Sequence, residues 1–214
     1  MKDLDVRGAL QRTHLKQFDE DGDSRIIQEL DICNGEARID IAIVNGHIHG
    51  LEIKSEQDTL ARLPHQIDVY SKVFDYLTLV VARSHIDAAR KILPKTWGIM
   101  QASMRKNVQL KSIKGPELNN DTDAVAICQF LWKEELVALL EAHCLPPMPQ
   151  KTTKIEFCQF LSESVEKTCL VESVRKTLKA RTSWRVEPPL RQNGGSSRRK
   201  PSLSGFQVLP LSSL

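Results

Sequence analysis

The chain has 214 residues, 41% of them hydrophobic and 27% charged, which suits a globular protein of one domain plus a smaller part, or two small domains. A formal net charge of +3 is compatible with a nucleic-acid partner, and only Glu187 opposes the basic side chains that crowd residues 175–200. No apolar run is long enough to span a bilayer, the charged N-terminus is unlike a signal peptide, and the five scattered cysteines form no C-x-x-C pair, so a cytoplasmic protein with free thiols and no membrane partner is expected.

Taken in chain order, residues 3–15 place Leu4, Val6, Leu10 and Leu15 at helical spacing and predict a helix. FDEDGDS reads as a turn. Its alternating Asp19, Asp21 and Asp23 resemble the start of a calcium loop, but Ser24 stands at the glycine position and Leu30 at the twelfth, so these are turn and capping acids. Residues 25–32 read as a strand feeding two Ile- and Val-rich strands, 37–44 and 47–54. A helix with Pro64 in its first turn follows and is expected to reach Phe74 or Asp75. Then come a buried strand (76–82), a helix (86–92) and two short strands (97–102 and 108–113). KGPELNNDTDA is a linker, and helices are expected over 124–142, 154–166 and 173–181. From Glu187 onward the chain is Pro, Gly, Ser and Arg without a core pattern and reads as disordered. The expected organisation is a domain over 1–114, a helical region over 115–186 and a tail over 187–214. Trp97, Met100, Met104 and Trp132 are expected in the core.

The stretch RIDIAIVNGHIHGLEIKS carries Asp40 on one strand and Glu52 and Lys54 on the next. Side chains alternate along a strand, so the loop decides whether these groups meet. A two-residue Asn45-Gly46 turn pairs Val44 with His47 and sends Asp40 to the opposite face from Glu52 and Lys54. A three-residue Val44-Asn45-Gly46 loop pairs Asp40 with Gly50 and Arg38 with Glu52, and gathers the three charges on one face. The second register leaves the cleaner apolar side. Two carboxylates and a lysine on one face are either an ion-paired solvent face or the start of a metal site. His47 and His49 lie two apart and form a weaker zinc pair, with no further ligand at the right spacing.

The order D40-x(11)-E52-I-K54 resembles the PD-(D/E)XK nuclease superfamily, and Q66-I-D-V-Y70 resembles the Q-x-x-x-Y helix of its RecB-like branch. The segment from Leu4 to Leu110 is also similar to a family of uncharacterised bacterial proteins within that superfamily. The proline that often precedes the Asp is replaced by Ile39. The resemblance implies a restriction-endonuclease-like α/β fold, a mixed sheet flanked by helices, here followed by a small all-α region. It implies a metal-dependent nuclease acting on DNA with Mg²⁺ or Mn²⁺. Asp40, Glu52, the Ile53 carbonyl and Glu29 would serve the metal, and Lys54, Gln66 and Tyr70 would act beside them. Arg62, and more weakly Arg7, would either meet phosphate or stand as exposed surface arginines. The segment 134–163 loosely resembles a SAP-type DNA-binding hairpin, though Cys144 replaces its glycine. Arg175, Lys176, Lys179 and Arg181 are expected to contact nucleic-acid backbone, and a homodimer is compatible with this class of enzyme. The alternative is a non-catalytic module that keeps the fold and binds nucleic acid or protein.

Overall fold

β-branched runs in the first half of the chain form one mixed sheet. In the computed structural model, which describes residues 1–181, the strands are β1 (Arg25–Ile32), β2 (Ala37–Val44), β3 (Ile48–Lys54), β4 (Tyr76–Ala82), β5 (Gly98–Met104) and β6 (Val108–Lys114). Their spatial order is their chain order. β1, β2 and β3 are successively antiparallel, β3, β4 and β5 are parallel, and β6 returns antiparallel. The helices are α1 (Asp3–Arg12), α2 (Lys16–Glu20), α3 (Leu63–Tyr70), α4 (Ile86–Ile92), α5 (Ala124–Cys128), α6 (Lys133–Ala142), α7 (Lys154–Ser164) and α8 (Lys167–Ala180). α3 and α4 are the crossovers that parallel neighbours need. The fold class expected from the sequence is the one observed. The described residues on both sides of the sheet-to-helix change near residue 114 fall in one compact unit. The expected tail over 187–214 lies outside the described residues.

One face of the sheet packs Ile41, Ile43, Leu51, Ile53, Val80 and Met100 against Val6, Leu10 and Leu15 of the N-terminal segment. The other face receives Phe74, just beyond α3, whose ring lies close to Gly50 and Leu77.

Several boundaries differ from expectation for local reasons. The first helix stops at Arg12, and α2 takes up Phe18 to Glu20, so the turn proper is Asp21 to Ser24. There Asp21 Oδ1 accepts the amides of Asp23 (2.9 Å) and Ser24 (2.7 Å). α3 ends at Tyr70, short of the expected 74 or 75. The single helix expected over 124–142 is two, α5 and α6, because Glu135 turns back to accept the Trp132 amide at 2.7 Å and starts a new helix. α8 begins at Lys167, six residues earlier than expected, capped by Glu166 on the Cys169 amide. Met104 is 44% exposed and Trp132 half-buried, so neither is core.

The β2–β3 hairpin follows neither frame drawn from the sequence. Val44 pairs with Ile48, and the loop is Asn45-Gly46-His47. Asn45 Oδ1 accepts the His47 amide at 2.9 Å, which closes the turn one residue later than a Val-Asn-Gly loop and keeps Val44 in the ladder. The loop is nonetheless odd, so Asp40, Ala42, Gly50, Glu52 and Lys54 keep a common parity. Gly50 pairs with Ala42, not with Asp40, and Arg38 does not pair with Glu52. A Cβ on Gly50 would lie 2.8 Å from Ile39 Cδ1, 2.9 Å from Leu77 Cδ2 and 3.1 Å from Phe74 Cδ1. Gly50→Val therefore overpacks a filled core, and urea unfolding should show a loss of about 1–3 kcal/mol.

His47 and His49, weighed as a zinc pair, both edge onto the Tyr76 ring. His49 Nε2 lies 3.1 Å from Thr78 Oγ1, and burial, helped by His14, lowers its pKa to about 4. The folded state thus binds fewer protons at His49 than the unfolded chain does. The stabilisation this gives is present above the ordinary value of 6.5 and is lost as pH falls toward 4. Wild type should lose about 1–3 kcal/mol more than His49→Gln between pH 6.5 and 4, measured by urea unfolding at each pH.

Candidate active site

β2 and β3 part company at Asp40. Their last paired residues toward this end are Ile41 and Leu51, and the next free amide, Ile53 N, donates to Asp40 Oδ2 at 2.6 Å. A side chain fills the widening fork between two strands. On the other side of β2, Gln28 pairs with Ile41 and Leu30 with Ile39, while Glu29 stands between them at φ +54°. A glutamate in the left-handed region is unfavourable and is held there by the pairing on either side. The buried positions of β1 change phase across it, from Ile27 to Leu30 and Ile32.

Glu52 and Lys54 leave β3 on the side of α3 and are 2% and 5% exposed. A buried carboxylate is tolerated only when its oxygens are satisfied. Glu52 Oε1 accepts Lys54 Nζ at 2.6 Å and Gln66 Nε2 at 2.7 Å. Tyr70, one turn beyond Gln66 on the same helix face, places its hydroxyl 3.0 Å from Glu52 Oε2 and 2.5 Å from the Arg38 carbonyl. A phenol has one proton, so these two acceptors share it. Burial first, and then Glu52, push the Tyr70 pKa upward and keep it a phenol. Gln66 must turn its amide nitrogen to the carboxylate. Its Oε1 is consequently left buried, with no hydrogen-bond partner.

Burial and the nearby Glu52 raise the Asp40 pKa to about 7, against the opposing pull of the Ile53 amide and Arg7. Arg7 comes from α1. Its Nη2 lies 2.5 Å from both Asp40 Oδ1 and Glu29 Oε1, its Nη1 donates to the Asp40 carbonyl at 3.1 Å, and its Nε holds Asp3 at 2.5 Å. These groups surround a cleft of about 360 Å³.

Of the residues singled out from the sequence, Glu29, Asp40, Glu52, Ile53, Lys54, Arg62 and Gln66 all line this cleft. Tyr70 lies behind Glu52 and is fully buried, so it is both core and support. Asp3, Glu36, Asp58 and His65 line it too and were not foreseen. Neither was the clamp made by Arg7. The Asp3–Arg7 spacing of four was visible as an i,i+4 pair, but nothing in the sequence placed α1 beside Asp40.

The expected nucleic-acid contacts on α8 are otherwise engaged. Arg181 is 7% exposed; it makes two bonds to Glu135 (2.9 and 2.5 Å), donates to the Phe130 carbonyl and stacks 4.1 Å over Trp132. It is an internal clasp between the end of α8 and the start of α6. Arg175 lies 3.8 Å from Asp75, Lys176 2.7 Å from Glu172 and Lys179 2.7 Å from Asp23.

Fold and site together define an α/β protein with a mixed six-stranded sheet, a helical C-terminal region and a cleft of acids, lysine and glutamine at the fork between two strands. The chain belongs to the bacteriophage P4 protein cII family, matched over residues 9–193. Protein cII of Enterobacteria phage P4 is 28% identical over an alignment of 156 residues that covers 67% of this chain and 59% of that protein. The chain thus spans less than two thirds of that relative's length. Among solved structures it is similar to Pyrococcus furiosus SfsA in complex with Ca²⁺, at 14% identity over 53% of this chain and 63% of that one. The TM-score of 0.33 is too low for that likeness to carry an argument. Among the described residues, no helix is long and apolar enough to cross a membrane.

Removing Arg7 leaves Asp3, Glu29 and Asp40 facing one another without a cation. Arg7→Met should lower stability by about 1–3 kcal/mol at neutral pH in thermal or urea unfolding. Arg7→Lys should restore only part of it, since a point charge cannot reproduce the planar fork.

Proposed function

We propose that the protein is a metal-dependent nuclease of the PD-(D/E)XK type that hydrolyses phosphodiester bonds in DNA. The observation that carries this reading is the approach of Asp40 and Glu52 in one cleft, with Lys54 bonded to Glu52 and the Gln66 oxygen left unpartnered. The donor chemistry fits Mg²⁺ or Mn²⁺. Asp40, Glu52, the Ile53 carbonyl and, at the rim, Glu29 are hard oxygen groups. Among the described residues, no three His, Cys, Asp or Glu side chains converge as a complete cradle. Mg²⁺ characteristically uses one or two carboxylates and keeps several waters, so two central carboxylates suffice.

When bound, such an ion supplies charge to a phosphate oxygen and lowers the pKa of a water. The rest falls to the chain. Lys54, fixed by Glu52, presents an ammonium where negative charge grows on the phosphate. Gln66 Oε1 is free to accept a hydrogen bond from a water and orient it. Tyr70 acts through others: it braces Glu52 and ties α3 to the Arg38 carbonyl of β2.

The second reading is a binding module that kept the fold, and Arg7 favours it. A guanidinium already neutralises Asp40 and Glu29. Cleavage of labelled DNA in Mg²⁺ and Mn²⁺ separates the two readings. Asp40→Asn, Glu52→Gln and Lys54→Met should each reduce it at least about 100-fold while leaving the unfolding transition cooperative. A wild type that cuts neither DNA nor RNA and binds neither ion overturns the enzyme reading. Nucleic-acid binding without cleavage would then favour the module.

A further inference from the structure

The cleft is acidic, and a polyanion is repelled from an acidic opening unless positive charge stands beside it. The basic residues expected to serve, Arg175, Lys176, Lys179 and Arg181, do not meet that need, since each lies against an acid. The sheet topology points elsewhere. Because β3, β4 and β5 are parallel, their C-terminal ends share one edge of the sheet, the edge at which Lys54 stands. At that edge β4 runs into Arg83, and the β5–β6 turn carries Arg105 and Lys106. Arg62 opens α3 there as well.

The register fixes how these residues stand. Lys54 is level with Val81 on β4 and Gln101 on β5. Arg105 is four residues beyond Gln101, so the turn overhangs the level of Lys54 by about 13 Å and lies about 10 Å to its side. Met104 pairs with Val108, and the Arg105 amide donates to the Asn107 carbonyl at 3.2 Å, a closed three-residue turn that points its side chains outward. Lys111 follows on the outer edge of β6, level with Gln101. Arg83, Arg105, Lys106 and Lys111 are all exposed, and none forms an ion pair with a carboxylate among the described residues. Asp87, on the helix that follows Arg83, lies 4.0 Å from Arg90.

We infer that this overhanging edge, Arg83 with the Arg105–Lys106 turn and Lys111, is the surface that grips the phosphate backbone of DNA and brings it to the cleft. The inference rests on the nuclease reading for its choice of DNA, but it concerns binding and not chemistry. Contacts of this kind carry no sequence information, so they set affinity and position only. Backbone contacts also release counterions, which gives each one a signature in the salt dependence of binding.

The test is fluorescence anisotropy of the full chain with labelled duplex DNA in EDTA, where cleavage does not interfere, over a salt series. Duplex RNA and single-stranded DNA serve as further arms. Arg83→Ala/Arg105→Ala/Lys106→Ala should weaken duplex DNA binding at least about 10-fold and lower the log–log salt slope by about 2–3, at about 0.9 per phosphate contact. Lys176→Ala/Lys179→Ala provides the rival surface. The inference is overturned if the triple variant binds as wild type does, if the α8 variant is the one that loses binding, or if RNA is bound in preference. A wild type that binds no nucleic acid also overturns the inference, while the nuclease reading is decided separately by the cleavage and metal-binding assays. Wild-type binding untouched by the triple substitution overturns the inference alone.

Discussion

A carboxylate that is 2% exposed has to be answered by its neighbours, and at Glu52 the answer organises this end of the molecule. Lys54 reaches it because residues two apart on a strand share a face. Gln66 and Tyr70 reach it only because α3 lies on that face with one stripe turned inward. Tyr70 in turn holds the Arg38 carbonyl and so fixes the start of β2 against α3. Asp40 is then a second, half-buried acid beside the first. Its support comes from the opposite direction, the Ile53 amide in the fork and Arg7 from α1. Three layers of the fold thus converge on two carboxylates. Loss of any one donor exposes the others to an uncompensated charge, which ties the stability of the fold to the integrity of the cleft.

What could be read in the sequence was whatever depends on local pattern. The strand and helix order follows from runs of Ile and Val and from helical spacing. That Asp40, Glu52 and Lys54 could meet in one cleft needed only an odd loop. The frame of that loop was not legible, because Asn45 chooses between turns by a side-chain bond to His47 that no propensity records. Glu29 was legible as an acid near Asp40. Its left-handed backbone, which turns it toward Arg7, belongs to the strand pairing on both sides of it. The break between α5 and α6 was hidden because the leucine spacing runs on through it. It is made by Glu135 turning back to the Trp132 amide, and Arg181, from far along the chain, stacks on Trp132 and bonds to Glu135.

Charge was the feature most easily misread. A run of basic residues in α8 suggested a surface for polyanions, and composition cannot tell whether such charges are already paired. In the folded chain Lys179 is answered by Asp23, which lies 156 positions away. Arg105 and Lys106, by contrast, sit in an ordinary-looking turn, and what distinguishes them is that neither forms an ion pair among the described residues, in a hairpin that extends beyond the level of Lys54. Unpaired charge is a property of the fold, and so is its distance from a site.

Arg7 is where the catalytic and the binding readings meet. Its guanidinium spans three carboxylates, with Nε on Asp3 and Nη2 shared between Glu29 and Asp40. Sharing is the significant point. If Nη2 moves fully onto Glu29, Arg7 remains paired at both ends, and only Asp40 Oδ1 is released. The backbone need not move, because Val6 and Leu10 anchor α1 in the core on either side of Arg7. The exchange replaces one charge-assisted bond to Asp40 with whatever cation then takes its place. An arginine in this cleft therefore does not by itself argue for a dead site. It keeps the acids compatible with a folded chain, and a cation that takes its place at Asp40 would have to offset the bond that is lost.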